Sequence, residues 1–265
     1  MRFASLGSGS KGNGTLVASG DTCLLVDCGF PLKESISRLS RLGLTPEDLD
    51  GILVTHEHSD HSSGVSALSR RYSIPVFLSH GTAASGLFES AHQLLCFNAG
   101  DDFRVGDIRA LGLPVPHDAR EPVQYRFDCD GLALGILTDL GSITPFLVNA
   151  YGGCTGLLLE FNHEPELLRR SAYPAPLKRR VGGNYGHLNN QQAARFLQQV
   201  DTDSLRILVA GHLSQQNNTV DFAREALREV SLLNSVEVVM ACQSEGFDWI
   251  SLSALDPVAE ELASA

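Results

Sequence analysis

The stretch that decides the fold is His56-Glu57-His58-Ser59-Asp60-His61, which directly follows the apolar run 51–55. Imidazole and carboxylate groups without thiolate are ligands that suit zinc, manganese or iron. In an extended segment alternate side chains project the same way, so His56 and His58 can share one ion. Asp60 and His61 follow at the turn and can reach a second ion nearby. The pattern therefore predicts a metal centre at the end of a strand rather than a solvated turn.

The composition bounds the class of protein. A chain of 265 residues with 43% hydrophobic and 19% charged residues is globular, not disordered, and we expect one domain over 1–265. No apolar run approaches the roughly 18–20 residues of a membrane-spanning helix, and the N-terminus lacks the apolar core of a signal peptide. We therefore expect a cytoplasmic protein without membrane association. The six cysteines form no CxxC pair, which favours small core residues over disulfides or a zinc ribbon.

The formal net charge of −11 excludes a protein that holds nucleic acid by overall basicity. One local cluster runs against this charge, because five basic residues fall within twelve positions: Arg169, Arg170, Lys178, Arg179 and Arg180. Such groups bind phosphate well. We expect Lys178 and Arg179 to contact phosphate, since Pro174 and Pro176 restrict the chain that carries them, and the first two arginines to lie on a solvated helix face.

Short apolar runs alternate with helical patterns along the chain. The N-terminus reads as a strand that runs into a glycine turn. Further strands are predicted over 23–27, 51–55, 75–78, 107–113, 123–129, 132–137, 154–160, 205–210, 236–240 and 247–250. Helices are predicted over 32–42, 62–72, 142–150, 189–200 and 217–231. Asp130-Gly131 is a hairpin-turn signal. The alternation predicts a layered α/β architecture.

The histidine-rich stretch and its context resemble the metallo-β-lactamase superfamily. The resemblance implies a four-layer αβ/βα sandwich of two mixed β-sheets. That family also has an Asp before the motif and a later His, Asp and His, each at a strand end; here the matching residues are Asp27, His117, Asp139 and His212. The resemblance further implies a site for two divalent ions, Mn²⁺ or Zn²⁺, with iron as a further option. The first ion would be held by His56, His58 and His117, and the second by Asp60, His61 and His212. Asp139 would bridge the two ions, and Asp27 would orient a ligand from behind.

Two comparisons within that superfamily narrow the expected chemistry. The oxygen-reducing di-iron branch has Glu in the place of His58, so this chain resembles the hydrolases. Gly186-His187, followed after a predicted strand by Gly211-His212-Leu213-Ser214, looks similar to phosphodiesterases such as the tRNA 3′-processing endonucleases and the cyclic-phosphate diesterases. In those enzymes the first histidine is a general acid and not a ligand, which implies this role for His187. The alternative is a helix flank, because Asn189 can cap the helix that follows.

Three segments resemble the YycJ-type (WalJ) branch more narrowly. They are Gly7-Ser8-Gly9-Ser10-Lys11-Gly12-Asn13, Glu160-Phe161-Asn162-His163-Glu164, and Tyr173 to Val181 followed by Gly186-His187-Leu188-Asn189-Asn190, in which Asn189 replaces the usual Ser. The resemblance implies a manganese-dependent 5′→3′ exonuclease that acts on DNA ends. We expect Asn13 and Asn162 to border the substrate. His163 either borders the pocket or fixes a loop, whereas His80 and His92 match no pattern and are expected at helix ends or in loops.

The expected mechanism is hydrolysis of a phosphodiester by a hydroxide held between the two ions, with Asp60 accepting the proton and His187 protonating the leaving oxygen. The sequence fixes neither the metal, the kind of nucleic acid, the strand polarity nor the oligomeric state. Two alternatives remain open. One is a hydrolase of thioesters, lactones or small cyclic phosphodiesters, which needs neither His187 nor the basic cluster. The other is a non-catalytic binding protein that retains the fold.

Overall fold

Two mixed β-sheets form the centre of the protein in a computed structural model, which describes residues 1–230 and 235–253. Each sheet has seven strands, in the orders β14-β1-β2-β3-β4-β5-β6 and β13-β12-β11-β10-β9-β8-β7. The first sheet comprises β1 (Arg2–Gly7), β2 (Gly14–Ser19), β3 (Thr22–Val26), β4 (Gly51–Leu53), β5 (Pro75–Ser79), β6 (Gln93–Phe97) and β14 (Phe247–Ser251). The second comprises β7 (Asp102–Val105), β8 (Ile108–Pro114), β9 (Val123–Cys129), β10 (Leu132–Leu137), β11 (Gly156–Glu160), β12 (Ile207–Gly211) and β13 (Glu237–Met240).

Nine helices of the described segments connect these strands. They are α1 (Leu32–Arg41), α2 (Ser59–Ser62), α3 (Val65–Tyr72), α4 (His80–Ala83), α5 (Pro145–Tyr151), α6 (Pro165–Arg170), α7 (Ala175–Val181), α8 (Asn190–Gln199) and α9 (Val220–Arg228). Several begin where the sequence supplies a cap: the side chains of Thr144, Asn189 and Thr219 accept hydrogen bonds from the first turns of α5, α8 and α9.

Three hydrophobic cores separate the layers. One lies between the sheets and contains Leu24 of β3 and Leu158 of β11. The second packs the outer face of the first sheet against α1 and α3. The third packs the outer face of the second sheet against α5, α8 and α9. Because strand side chains alternate, Leu25 and Leu157 point to the outer cores while their neighbours Leu24 and Leu158 fill the central one. The predicted four-layer αβ/βα sandwich is confirmed.

The strand directions bring one edge of each sheet together. Strands β3 to β6 run parallel, as do β10 to β13, and the remaining pairs are antiparallel. The carboxyl ends of β1, β3 and β4 therefore lie at one edge of the first sheet, and those of β8, β10, β11 and β12 at one edge of the second. Ser8, which follows β1, accepts a hydrogen bond from the backbone N–H of His212, which follows β12, at 2.9 Å. This bond joins the two edges, where ligands bind in open α/β sheets.

The predicted elements differ from the structure mainly at their ends. The predicted helix 62–72 is interrupted between α2 and α3, because the backbone N–H of Gly64 donates to the carbonyl of Cys28 and not to the preceding helical turn. The predicted helix 217–231 begins only at Val220, since Asn218 closes a turn onto Ser214. Strands β2, β6 and β7 and helices α4, α6 and α7 were not predicted. Residue 231 and the last part of the expected domain, 254–265, lie outside the described residues.

The Asp130-Gly131 turn is confirmed. It joins β9 and β10, whose facing residues are Cys129 and Leu132. Both turn residues have positive φ, at 51° and 75°. A two-residue hairpin turn of this kind matches the twist of its strands, and Asp-Gly tolerates the left-handed backbone that it needs.

Candidate active site

The first group of potential ligands is His56, His58 and His117. Nδ1 of His58 lies 2.9 Å from Nε2 of His56 and 3.3 Å from Nε2 of His117. Two nitrogens bound to one tetrahedral zinc at its usual bond length are ~3.3 Å apart. The other ring nitrogen of His117, Nδ1, lies 3.0 Å from the carbonyl oxygen of Gly186 and donates to it, which leaves Nε2 for an ion. The three rings thus present nitrogens at the spacing of shared metal ligands.

The second group is Asp60, His61 and His212, whose potential ligand atoms lie within 4.8 Å of one another. Nε2 of His61 is 3.7 Å from Oδ2 of Asp60. Nδ1 of His212 lies 2.5 Å from the carbonyl oxygen of Thr138 and 3.0 Å from Oε1 of Glu160, so its Nε2 is the nitrogen left for an ion. Burial lowers the pKa of His212, but Asp139 and Glu160 outweigh it and raise the pKa to about 9.

Asp139 lies between the two groups. Its Oδ2 is 2.8 Å from Nε2 of His61, and its Oδ1 is 3.8 Å from Nε2 of His117. The residue is buried, and within the described chain Oδ2 has no aligned hydrogen-bond donor. A buried carboxylate oxygen without a donor is costly, and a cation shared with the adjacent nitrogens removes that cost. The donor set and its spacing therefore fit divalent ions at both groups, and Asp139 lies within reach of each group.

Asp27 lies behind the ligands. Its Oδ1 accepts a hydrogen bond from the backbone N–H of Thr55, and its Oδ2 accepts one from the Thr55 hydroxyl, both at 2.8 Å. Nδ1 of His61 is 2.7 Å from the same Oδ2, so Asp27 orients this ring. Burial raises the pKa of Asp27, although His61 and Thr55 oppose the rise.

Two site positions have an unusual backbone conformation. Asp27 and His212 have φ angles of 61° and 53°, in the left-handed region that non-glycine residues adopt uncommonly. Asp27 directly follows β3, and His212 directly follows β12. In both residues the unusual φ turns the side chain toward the site. A backbone conformation of this kind is typical of functional positions.

The glycine-rich loop after β1 packs behind the second group of potential ligands. The side chain of Asn13 accepts a hydrogen bond from the N–H of Gly9 at 2.7 Å and donates to the Gly9 carbonyl at 3.1 Å. Its Nδ2 is also 3.0 Å from Nε2 of His61. A Cβ on Gly29 would lie 1.8 Å from the carbonyl oxygen of Asp60, so only glycine permits this packing. Asn13 is buried and does not line the cavity, so the structure places it behind the ligands and not at the expected substrate position.

Glu160 connects the metal-ligand groups to His187. Its Oε1 is 2.7 Å from Nδ1 of His187 and 3.0 Å from Nδ1 of His212. Its Oε2 accepts backbone hydrogen bonds from Leu140 and Leu188, both at 3.1 Å. Burial would raise the pKa of Glu160, but the two histidines lower it by more, so the carboxylate remains ionised. One fully buried carboxylate thus fixes two rings of the site.

Glu160 was missed as a site residue at the level of sequence. The signal was available, because Glu160 ends the apolar run Leu157-Leu158-Leu159 as Asp27 and Asp139 end theirs. An acidic side chain directly after a buried strand of this sheet therefore lies at the edge that carries the site.

His187 lies at the boundary between the ligands and an open cavity. Because its Nδ1 contacts Glu160, Nε2 is the nitrogen that remains for a ligand. Burial lowers the pKa of His187, but Glu160 and Asp139 outweigh it, so the net direction is upward. The backbone N–H of His187 donates to the carbonyl of Val181, and a Cβ on Gly186 would lie 2.1 Å from the carbonyl oxygen of Arg180. The approach of α7 to this segment therefore requires a glycine before the histidine.

The cavity has a volume of about 300 Å³ and is lined by both groups of potential ligands. Asn162 lines it, as expected, and donates a hydrogen bond to the carbonyl of His212 at 3.1 Å. Further residues of the lining that the sequence did not single out for this role are Ser10, Ser59, Tyr173, Leu177, Arg180, Val181, Ser214 and Asn217.

The basic residue of α7 that lines the cavity is not one of the two that the sequence predicted. Arg180 lines the cavity and forms an ion pair with Asp118, whereas Lys178 donates a hydrogen bond to the carbonyl of Arg169 at 2.8 Å. Arg179 is exposed and does not line the cavity. Helical spacing gives the reason, because Arg180 lies three positions after Leu177 and shares its face. The helical spacing of Leu177, Arg180 and Val181 was the signal that could have identified it.

The remaining histidines and arginines lie away from the ligands. His163 is buried and its ring contacts Oδ1 of Asn162 at 3.3 Å, and it pairs through its backbone with Asn189, so it fixes the loop after β11. His80 begins α4, and His92 precedes β6. Arg169 and Arg170 pair with Glu166 on an exposed helix face, as expected.

Comparison with known proteins assigns the chain to a family. Residues 7–140 match the family model described as the Metallo-beta-lactamase superfamily. The chain belongs to this superfamily. A likeness in structure agrees with it: the metallo-beta-lactamase fold protein YhfI from Bacillus subtilis superposes with a TM-score of 0.71 at 20% identity, over 94% of this chain and 99% of that one.

Two curated relatives place the chain more narrowly within the superfamily. Exodeoxyribonuclease YycJ of Bacillus anthracis is 36% identical over 234 residues, which are 87% of this chain and 89% of the relative. Exodeoxyribonuclease WalJ of Streptococcus pneumoniae is 34% identical over 230 residues, 84% of this chain and 85% of the relative. This metallo-β-lactamase superfamily chain therefore belongs to the YycJ/WalJ-type branch and is a metal-dependent hydrolase of ester bonds. Among the residues that the structure describes, no helix is long and apolar enough to cross a lipid bilayer.

Proposed function

We propose that this protein is a manganese-dependent exonuclease that removes nucleotides from the 5′ end of DNA. The observation that carries the proposal is that His187, fixed by Glu160, lines the same cavity as Asp60 and Arg180. A proton donor, a carboxylate and a guanidinium around one cavity suit hydrolysis of a phosphodiester. The relatives named exodeoxyribonuclease, which share about a third of the residues over most of the chain, support DNA as the substrate.

Two divalent ions would be held by the seven predicted ligands. His56, His58 and His117 would hold one, Asp60, His61 and His212 the other, and Asp139 would bridge them. When bound, the ions would supply Lewis-acid stabilisation of the phosphoryl oxygens. Asp27 and Glu160 would fix the rings of His61 and His212 so that each presents one nitrogen.

The chain's own groups would move the protons of the reaction. The attacking water oxygen forms a bond to phosphorus, and the bond from phosphorus to the 3′-oxygen of the terminal nucleotide breaks. Asp60 would accept a proton from the water, and Nε2 of His187 would donate one to the departing 3′-oxygen. Glu160 would stabilise the protonated ring of His187 before that transfer, because its Oε1 is 2.7 Å from Nδ1 of His187. A 5′-phosphorylated end therefore releases a nucleoside 5′-monophosphate with a free 3′-hydroxyl, and the shortened strand carries the cleaved phosphate at its new 5′ end.

Arg180 would take the role that we first expected of Lys178 and Arg179. Its ion pair with Asp118 fixes the guanidinium at the cavity wall, and Asp118 adjoins the ligand His117. A guanidinium contacts two phosphoryl oxygens at once, which an ammonium cannot do. The negative charge that builds on those oxygens during attack would therefore be stabilised by Arg180.

The decisive experiment is digestion of duplex DNA labelled at the 5′ end or at the 3′ end, with added Mn²⁺. Early loss of the 5′ label by the wild-type protein, and no loss with Asp60→Ala, is the expected result. Early loss of the 3′ label would overturn the polarity. A wild-type preparation that holds two metals and cleaves neither duplex would overturn the nuclease and point to thioesters, lactones or small cyclic phosphodiesters.

A further inference from the structure

One wall of the cavity is apolar. Its residues are neither potential metal ligands nor members of a hydrophobic core of the described chain. They are Tyr173, Leu177 and Val181, which line the cavity. In α7, which is described in full, no residue is buried. An apolar helix face that packs on no core and borders a cavity is a surface for a ligand.

The position of this wall indicates which part of a substrate it meets. The backbone N–H of His187 donates to the carbonyl of Val181, so the wall adjoins the residue that would protonate the leaving oxygen. The leaving oxygen belongs to the nucleotide that departs. The base of the departing nucleotide therefore lies on the α7 side of the cavity, and not on the side of the remaining strand.

A second observation concerns Asn217, which lines the same cavity and is 1% exposed. Within the described residues its Oδ1 has no hydrogen-bond partner, while its Nδ2 reaches only the Ser214 hydroxyl at 3.4 Å. Whichever way the amide is turned, one of its polar atoms lacks a good partner. Buried polar groups are normally satisfied, so a ligand group is the expected partner. The edge of a nucleobase carries both donors and acceptors and suits either orientation of the amide.

We propose that Tyr173 and Asn217 form a nucleobase subsite, in which Tyr173 stacks on the face of the departing base and Asn217 binds its edge. The inference rests on the proposed function and specifies which part of the substrate contacts this wall. Base–aromatic stacking tolerates all four bases, so the subsite contributes affinity for any terminal nucleotide and little sequence preference.

The test compares two ligands that differ only in the base. Deoxyadenosine 3′-monophosphate and 2-deoxyribose 3-phosphate, whose phosphate is joined to the same 3′-oxygen as the scissile phosphate, are titrated calorimetrically into the Mn²⁺-loaded protein. We expect the nucleotide to bind about 10-fold more tightly, the effect of one stacked base. Tyr173→Ala should bring this ratio close to one, Tyr173→Phe should keep it, and Tyr185→Ala, an exposed aromatic outside the cavity, should keep it. The ratio is insensitive to partial loss of metal or fold, which weakens both ligands alike.

Asn217→Ala should lower the same ratio several-fold, and the matched change of the exposed neighbour Gln216→Ala should leave it unchanged. Equal binding of the two ligands by the wild-type protein, or a preference that survives Tyr173→Ala, would overturn the subsite. The proposed nuclease fails separately, if labelled DNA is not cleaved. A base preference in a protein that cleaves no DNA would keep the subsite and discard the exonuclease.

Discussion

The two sheets contribute to the site in different ways. The edge of the first sheet supplies Asp27 and the run His56–His61, which follow the adjacent parallel strands β3 and β4. The edge of the second sheet supplies five residues: Glu160 at the end of β11, and His117, Asp139, His187 and His212 from the connections that follow β8, β10, β11 and β12. The first half of the site is therefore a local pattern that a reader of the sequence can see. The second half is an assembly that depends on the order of the strands.

The largest expected effect comes from the local half. Asp60→Ala removes a carboxylate from the second group of ligands, where it lies 3.7 Å from Nε2 of His61. We expect the purified protein to lose bound metal and its activity to fall to background together. Metal analysis and digestion of 5′-labelled DNA on the same sample provide the check. Full metal content in this variant would contradict the ligand role of Asp60.

The contrasting prediction concerns His187 in the assembled half. His187→Ala should lower kcat by ~10²- to 10⁴-fold, the usual contribution of a positioned acid or base. Metal content should stay at the wild-type value, because His187 is not one of the seven predicted ligands and its Nδ1 lies closer to Glu160, at 2.7 Å, than to Asp139, at 3.3 Å. Metal analysis beside single-turnover rates gives the measurement. If one equivalent of metal is lost, His187 is a ligand and the distinction between the two variants disappears.

Glu160→Gln tests whether one buried carboxylate holds the assembled half together. A glutamine presents one acceptor where Glu160 satisfies two histidine rings and two backbone N–H groups. We expect a loss of ~10- to 100-fold in kcat/KM, as for other groups that orient ligands. Glu166→Gln, which changes an exposed carboxylate that pairs with Arg169, is the control. Wild-type kcat/KM in Glu160→Gln would show that the two rings are fixed by other contacts.

A smaller effect separates the two sides of α7. Arg180→Ala should lower kcat/KM on DNA by ~10-fold, about the value of one hydrogen bond to a charged group. Lys178→Ala should change it little, since the ammonium bonds to the carbonyl of Arg169 outside the cavity. Steady-state kinetics at constant ionic strength compares the two. The reverse order of effects would restore the assignment that the sequence suggested.

The smallest effect is a pH dependence of stability at His163. Burial lowers the pKa of His163 from 6.5 to about 4. The unfolded chain therefore binds a proton before the folded one, and the stability present above pH 6.5 is lost as the pH falls toward 4. In His163→Gln this contribution, ~1–3 kcal/mol, should be absent. Urea unfolding of both proteins without metal, at pH 7 and pH 5, measures it, and an equal loss in both would exclude His163 as the cause.

The sequence predicted which potential metal ligands lie together better than it predicted which basic and polar residues line the cavity. A ligand such as Asp139 or His212 ends a recognisable apolar run, and a strand end fixes where its side chain lies. Arg180 and Lys178 lie in a short helix that was not predicted, and two positions along a helix separate a cavity-facing side chain from an outward one. The sequence predicted that Asn13 borders the substrate. In the structure its hydrogen bonds to Gly9 hold its side chain behind the ligands.

By itself, the sequence determined the layered α/β class, the turn at Asp130-Gly131 and the local ligand pattern of residues 56–61. These features depend on neighbours within a few positions, through strand alternation, turn conformation and the spacing of side chains. Only the tertiary structure decided that Glu160 bonds to both His187 and His212, and that Arg180 faces the cavity. The physical reason is that these contacts join residues from different strands and helices. Strand order and helix rotation, set by the packing of the whole chain, bring such residues within hydrogen-bonding distance.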